Sequence, residues 1–390
     1  MTDSIKSPWM MVAGDFRVNG GMDRANFELA RYLLERGDEV YLVANSVSSE
    51  LAAYPGAHIH LAPRPVGSFL LGSFSLDVLG RRIARKLRQR WPNVPVIVNG
   101  GNCLAGNINW AHYVHGAWTT ENKKMPAWLK IKQSVEPRLE RAKERRTYAR
   151  AHLIIANSNL TKGHVEAGLG EKSDKVRAIC YGANVNYGPV TESERIEMRD
   201  ALGMRRHGPI ALFVGALGHD NRKGFDIAFE AWRRLCGTPG WDVDLLVAGN
   251  GRTFHYWKRE AAACGLENRI HMLGFIQDVD RLVGVGDVLI SPSRYEAYGL
   301  NVQEALCRGV PAVVSANAGI AERLTNDLRM LLLEDPTDVD LCVEKLKLWR
   351  SDIEGWKRAT VEMSTKFRER SWQTMAAEIV CTINEINYLS

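Results

Sequence analysis

The chain has 390 residues, 45% hydrophobic and 25% charged, with a net charge of +6, which is enough for two globular domains of about 150–200 residues each. No apolar run approaches the roughly 18 residues that span a bilayer, and the N-terminus has no secretory apolar stretch. Seven scattered cysteines (103, 180, 236, 264, 307, 342 and 381) without a Cys-x-x-Cys argue against a disulfide framework or a zinc site and predict reduced thiols in a cytoplasm.

In chain order, Met10-Met11-Val12-Ala13-Gly14 reads as a strand. Phe27, Leu29, Ala30, Leu33 and Leu34 then mark a helix closed by Arg36-Gly37, and Val40–Val43 is the next strand. This is a βαβ entry to a doubly wound α/β fold. Gly20-Gly21 lies between the first strand and the helix; no Gly-x-Gly-x-x-Gly is present, which weakens a dinucleotide reading. Arg81–Arg90 is a basic block. Pro95–Asn102 reads as a strand with a glycine-rich exit. Trp110–Gly116 reads as a strand ending in His115-Gly116, with His112 on its other side. Lys123–Arg150 is a second basic block, with Trp128, Leu129 and Ile131 among its cations. Both blocks suit anionic lipid headgroups or a polyanionic acceptor, and both also read as solvated helix faces. No zinc-finger, RNP-like or helix-turn-helix signature accompanies them, so a nucleic-acid partner is not expected.

Leu153–Ala156 is a strand, followed by Asn157-Ser158, a helix N-cap pair. Val176–Val185 reads as the last strand and exit of the first half. The polar segment from Tyr187 to Arg206 lacks a core pattern and is read as the domain switch. The pattern then restarts. Ile210–Gly215 is a strand with a glycine exit, and Arg222-Lys223-Gly224 leads into a helix carrying Ile227, Phe229, Trp232 and Leu235. Val243–Ala248 and Ile270–Phe275 are further strands. Two Asp-x-Asp pairs, Asp242/Asp244 and Asp278/Asp280, read as surface acids rather than metal ligands, because neither adjoins the early βαβ unit. The end of the chain, from Lys366-Phe367 to Leu389, reads as one amphipathic helix.

The most informative stretch is Val288–Val314. Val288-Leu289-Ile290 leads into a Ser-Pro-Ser loop, then Glu296, then a helix start at Gly299, closed by Arg308-Gly309 before the strand Pro311–Val314. The amides near Gly299, Leu300 and Asn301 point out of the helix start, where the dipole adds about half a positive charge. Gly299 lets a phosphate approach the backbone. Glu304, one turn in, leans back towards that start and is placed to accept ribose hydroxyls.

Glu296 and Glu304 are separated by seven residues. With the Ser-Pro-Ser loop, the Tyr-Gly pair and Glu-Ala-Leu-Cys-Arg-Gly-Val-Pro-Ala-Val-Val-Ser, this stretch resembles the glutamate-x7-glutamate motif of retaining GT-B glycosyltransferases, in particular glycosyltransferase family 4. The resemblance covers the second half closely and the first half loosely. It implies an α/β fold of two Rossmann-like doubly wound domains facing a central cleft. An acceptor-binding domain would occupy 1–187, a nucleotide-sugar domain 188–365, and a helix at 366–390 would cross back to the first. The implied reaction is transfer of a hexose, with retention, from a UDP- or GDP-sugar to a saccharide or lipid-linked acceptor in cell-surface polysaccharide or glycolipid synthesis. No cofactor or metal is expected, and the nucleotide sugar is a substrate.

By the same resemblance, Lys223 and Arg222 grip the diphosphate, although Ala216 stands where the family usually has arginine. Gly20, Gly21 and Gly215 line the donor, Phe275 and Ile276 meet the base, and Tyr298, Gly299, Leu300, Asn301 and Glu304 complete the nucleotide site. Glu296 and His115 face the sugar. The carboxylates cannot meet phosphate directly, since each such contact at about 4 Å costs about 4 kcal/mol at an effective dielectric of about 20. A nucleotide-sugar epimerase of the same fold is the alternative; it would need further acids, for which Asp15 and Asp23 are the early candidates. A catalytically silent scaffold would have lost these motif residues.

Overall fold

The computed structural model describes residues 7–65, 69–118, 127–170, 172–325 and 327–387. Residues 123–126 of the second basic block and the last residues of the C-terminal helix expectation lie outside this set. The chain forms two compact units. The first gathers the described residues up to 118, those at 127–182 and those at 372–387; the second holds 183–371.

The first unit is built on a seven-stranded sheet. From edge to edge it runs Ala57–Leu61, Val40–Ala44, Trp9–Val12, Val96–Asn99, Ile108–Ala111, Leu153–Ala156 and Val176–Ala178. Every pairing is parallel. Helix Met22–Glu35 connects the first two strands and buries Ala25, Phe27, Leu29, Ala30, Leu33 and Leu34 on the helical period. The second unit has a six-stranded parallel sheet in the order Ile270–Gly274, Asp244–Ala248, Ile210–Val214, Val288–Ser291, Ala312–Ser315 and Leu332–Leu333. Its central strands are apolar apart from Asp244 and Ser291 at their ends, because helices cover both faces. Helix Phe225–Cys236 supplies Phe225, Ala228, Phe229, Trp232 and Leu235 to that core.

Both sheets place the first strand beside the fourth, so each reverses direction of winding there. At such a switch point the loops leaving two neighbouring strands diverge and leave a crevice at their carboxyl ends. In the second unit these strands are Ile210–Val214 and Val288–Ser291, and the loops that follow them carry Lys223 and Glu296.

Several boundaries differ from the sequence reading. The strand expected over Trp110–Gly116 is Ile108–Ala111, so His112 and His115 both lie beyond it. The expected loop after the first strand contains a two-residue strand, Asp15–Phe16, paired with Ser46–Val47. The polar switch segment holds a helix, Glu192–Ala201, opened by a Thr191/Glu194 capping box. Its inward face is arginine, not apolar, which is why periodicity missed it. Arg195 and Arg199 are buried, and each donates to Asp287 at 2.8 Å. The single helix expected from Lys366 is instead two, Ile353–Arg368 and Trp372–Asn387. Ser371 leaves the helical path to bridge Ala183, so the apolar face restarts at Trp372.

The Asp-x-Asp pairs are tied into the fold. Asp242 takes a bidentate contact from Arg350 at 2.8 Å. Asp244 is buried rather than superficial, held by Arg269 at 2.9 Å and Arg205 at 3.1 Å. Asp278 caps the helix Val279–Val283. Among the described residues no helix is long and apolar enough to cross a membrane.

Candidate active site

In the second unit, two loops are stitched together at the switch point. Gly224 has φ 71°, and a Cβ there would stand 1.9 Å from the Pro292 carbonyl oxygen, so the backbones are in direct contact. Arg294 fixes this approach. Its guanidinium holds Asp226 at 2.8 and 2.7 Å and donates to the Asn221 carbonyl at 2.6 Å, while its amide donates to the Arg222 carbonyl at 2.8 Å. A second close approach supports the first: a Cβ on Gly249 would lie 1.8 Å from the Gly215 carbonyl oxygen. Sequence reasoning passed over Arg294 and Asp226, because nothing local marks a pair 68 positions apart.

This frame brings the Lys223 ammonium onto the Glu296 carboxylate as an ion pair, with side-chain exposures of 21% and 14%. Arg222 lies alongside and donates to the Tyr295 carbonyl at 3.4 Å. Burial alone would raise the Glu296 carboxyl; the charges of Lys223 and Arg222 and the lysine hydrogen bond outweigh it and hold the group below its ordinary 4.5. Glu296 is therefore ionised at neutral pH. An ammonium has more hydrogens than one ion pair uses.

Gly299 sits at φ 107° as the N-cap of helix Leu300–Cys307, with no side-chain cap. The ladder begins at Val302, whose amide donates to Gly299, so the amides of Gly299, Leu300 and Asn301 precede the first helical bond. The Asn301 side chain donates to the Val214 carbonyl at 3.0 Å, which fixes the helix start against the end of the first strand. Tyr298 is buried, and its hydroxyl meets Gln303 and Arg323, the latter at 2.8 Å. That places it under the helix start as a support. Glu304 is half-buried one turn further on. Gly215 ends the first strand with Lys223 packed against it, and Ala216 beyond it is exposed. At the carboxyl end of the edge strand, Phe275 is 73% exposed and Ile276 half-buried.

The remaining candidates belong to the first unit. Gly20, at φ 105°, and Gly21 are exposed at the start of helix Met22–Glu35. Asp15 accepts from Ser46 at 2.9 Å and pairs with Arg64 at 3.3 Å. Burial and the Asp15 charge push the Asp23 carboxyl up to about 6. His115 is half-buried in the loop after Ile108–Ala111, with Nδ1 2.6 Å from Glu144 Oε1.

His112 is a core residue. It is enclosed with Asn26, Tyr181 and Asn157, which donates to the His112 carbonyl at 3.1 Å. Burial drives its pKa down to about 3 from the ordinary 6.5. Between those values the unfolded chain binds the proton and the folded one does not. Stability is therefore lost as pH falls from 6.5 towards 3, by up to about 1.4 kcal/mol per pH unit. His112→Gln is expected to remove that one-proton slope, read as a flatter dependence of the denaturation midpoint on pH between 7 and 5.

Two doubly wound parallel units in one chain, the second with an uncapped helix start and a lysine at its switch point, define a protein of the GT-B class. Residues 19–187 match the family model of Glycosyltransferase Family 4, and residues 194–370 match that of Glycosyl transferases group 1. The chain belongs to this family of GT-B glycosyltransferases. It is 26% identical over 243 residues to an uncharacterised glycosyltransferase of Methanocaldococcus jannaschii, spanning 60% of each protein. It is 25% identical to a D-inositol 3-phosphate glycosyltransferase of Geodermatophilus obscurus, over 82% of this chain and 76% of that one. Its fold is similar to that of WaaG, a glycosyltransferase involved in lipopolysaccharide biosynthesis, with a TM-score of 0.75, 16% identity and coverage of 96% and 99%. It is also similar to Anabaena HepE in complex with UDP and glucose, with a TM-score of 0.72, 16% identity and coverage of 97% and 100%.

Proposed function

We propose that the chain transfers a hexose from a UDP- or GDP-sugar to a saccharide or lipid-linked acceptor, with retention of configuration. The observation that carries this reading is the meeting of Lys223, Glu296 and the uncapped helix start at Gly299 at one switch point. A diphosphate brings about two negative charges, and the helix start, Lys223 and Arg222 supply the counter-charge without a cofactor or metal. As the bond from sugar to phosphate breaks, charge grows on the leaving oxygen. Cations and amides aimed there stabilise the transition state more than the ground state. Glu304 takes ribose hydroxyls, Glu296 takes a sugar hydroxyl while aligning Lys223, and His115 faces the reacting sugar. The leaving phosphate then accepts the acceptor proton on the same face.

Arg81, Arg82, Arg85 and Lys86 face solvent on helix Phe69–Arg90, with Phe74 and Val78 exposed in the turns before them. This supports an acceptor presented at an anionic surface, in cell-surface polysaccharide or glycolipid synthesis.

A thermal-shift and turnover screen over UDP- and GDP-sugars with chelator present tests the proposal. One donor should stabilise the protein and be slowly hydrolysed without acceptor. No response from any donor would overturn the reading, and a new nucleotide sugar seen by proton NMR would indicate an epimerase. Glu304→Ala should raise the donor KM about 10- to 100-fold, as expected for hydrogen bonds to a charged group worth about 1.5–3 kcal/mol, with kcat changed less.

A further inference from the structure

His115 is held by a residue that no motif marks. Glu144 lies on helix Ala127–Arg150, its side chain only 4% exposed. One carboxylate oxygen is 2.6 Å from His115 Nδ1, and the other accepts from the His115 backbone amide at 3.0 Å. The same helix grips the loop from below: Arg141 donates to the His115 carbonyl at 2.9 Å and to the Trp118 carbonyl at 3.2 Å. It also pins the neighbouring glycine turn, where Thr147 donates to the Gly100 carbonyl at 2.9 Å. Ring, amide and carbonyl of His115 are thus all referred to one helix face.

We propose that Glu144 is the positioning residue that sets the tautomer of His115 and, through it, turnover. A carboxylate accepts hydrogen bonds and donates none. Nδ1 must therefore carry a hydrogen, and in the neutral ring Nε2 then keeps the lone pair. A histidine so fixed offers an acceptor to a hydroxyl of substrate and is oriented before substrate arrives. The two-pronged contact makes Glu144→Gln informative. Gln has one oxygen, and the backbone amide can use only an acceptor. If that oxygen serves the amide, the Gln NH2 faces Nδ1, and the ring proton moves to Nε2.

This proposal rests on the reading of His115 as facing the reacting sugar, and two readouts separate their failures. On full-length protein labelled with 15N-histidine, the His115 resonances, assigned by their loss in His115→Asn, should show the Nδ1–H tautomer. Glu144→Gln should lose that signature and lower kcat by about 10²–10³-fold, in the range for a misplaced acid–base group, with the donor KM within twofold. Glu144→Asp, which keeps an acceptor, should retain the signature and recover part of kcat. An Nε2–H tautomer in the wild-type protein overturns the proposal even if Glu144→Gln does not fold. So does a Glu144→Gln protein that keeps the Nδ1–H signature, whatever its turnover. Loss of the signature with full turnover breaks the link to catalysis and overturns the proposal; His115→Asn then judges the reading of His115 separately, since lost activity leaves that reading standing and full activity overturns it too.

Discussion

Lys223→Ala is expected to lower kcat by about 10²–10³-fold, the cost of removing one preorganised donor from a developing anion. It should also weaken the fold, because Glu296 loses the cation that offsets its burial. A fully buried pair broken on one side costs about 3–5 kcal/mol. This pair is 21% and 14% exposed, so about 2 kcal/mol is the expected loss after allowing for solvent screening. The pH dependence gives an independent check. The Glu296 carboxyl is held below its ordinary 4.5 in the folded protein. Its contribution is therefore present above 4.5 and lost as pH falls below that value. In Lys223→Ala this acid-labile part should shrink. The double variant Lys223→Ala/Glu296→Ala should regain stability without regaining turnover, since the unpaired charge is gone but the phosphate contact is not restored. Wild-type kcat in Lys223→Ala would mean that the diphosphate is held elsewhere.

Gly224→Ala should be among the most damaging single methyls in the second unit. Its φ of 71° already costs an L-residue about 1–2 kcal/mol. The new Cβ would sit 1.9 Å from the Pro292 carbonyl oxygen, so the two loops must separate. That displaces Lys223 on one side and Glu296 on the other. We expect a total loss of at least about 3 kcal/mol and no stabilisation by donor. Gly265→Ala is the matched control. It has a similar φ of 66° and nothing within 4 Å of its Cβ, so it should cost about 1 kcal/mol and leave activity intact. Equal effects of the two substitutions would show that backbone conformation, not loop contact, governs the site.

These expectations rest on features of different legibility. The strand Leu153–Ala156, the strand Ile210–Val214 with its glycine exit and the helix start at Gly299 could be read directly. Apolar runs, glycine exits and caps are local patterns, and a buried parallel strand has few other ways to be written. The helix Glu192–Ala201 escaped because its buried face is arginine, stabilised by Asp287 some 90 positions away. His112 and His115 read as parts of one strand because nothing in Trp110–Gly116 shows that the strand ends at Ala111.

The doubly wound class, the parallel strands and a helix start suited to an anion are legible in the residues alone, since each follows from periodicity and turn chemistry within about ten residues. Which partners complete the site emerges only once the chain is folded. Arg294 with Asp226, Lys223 with Glu296 and Glu144 with His115 are separated by 68, 73 and 29 positions. Ion pairing acts through space and leaves no trace in the local pattern of either partner. Their meeting is set by the strand order, which lays loops distant in sequence against one another at the carboxyl ends of the sheets.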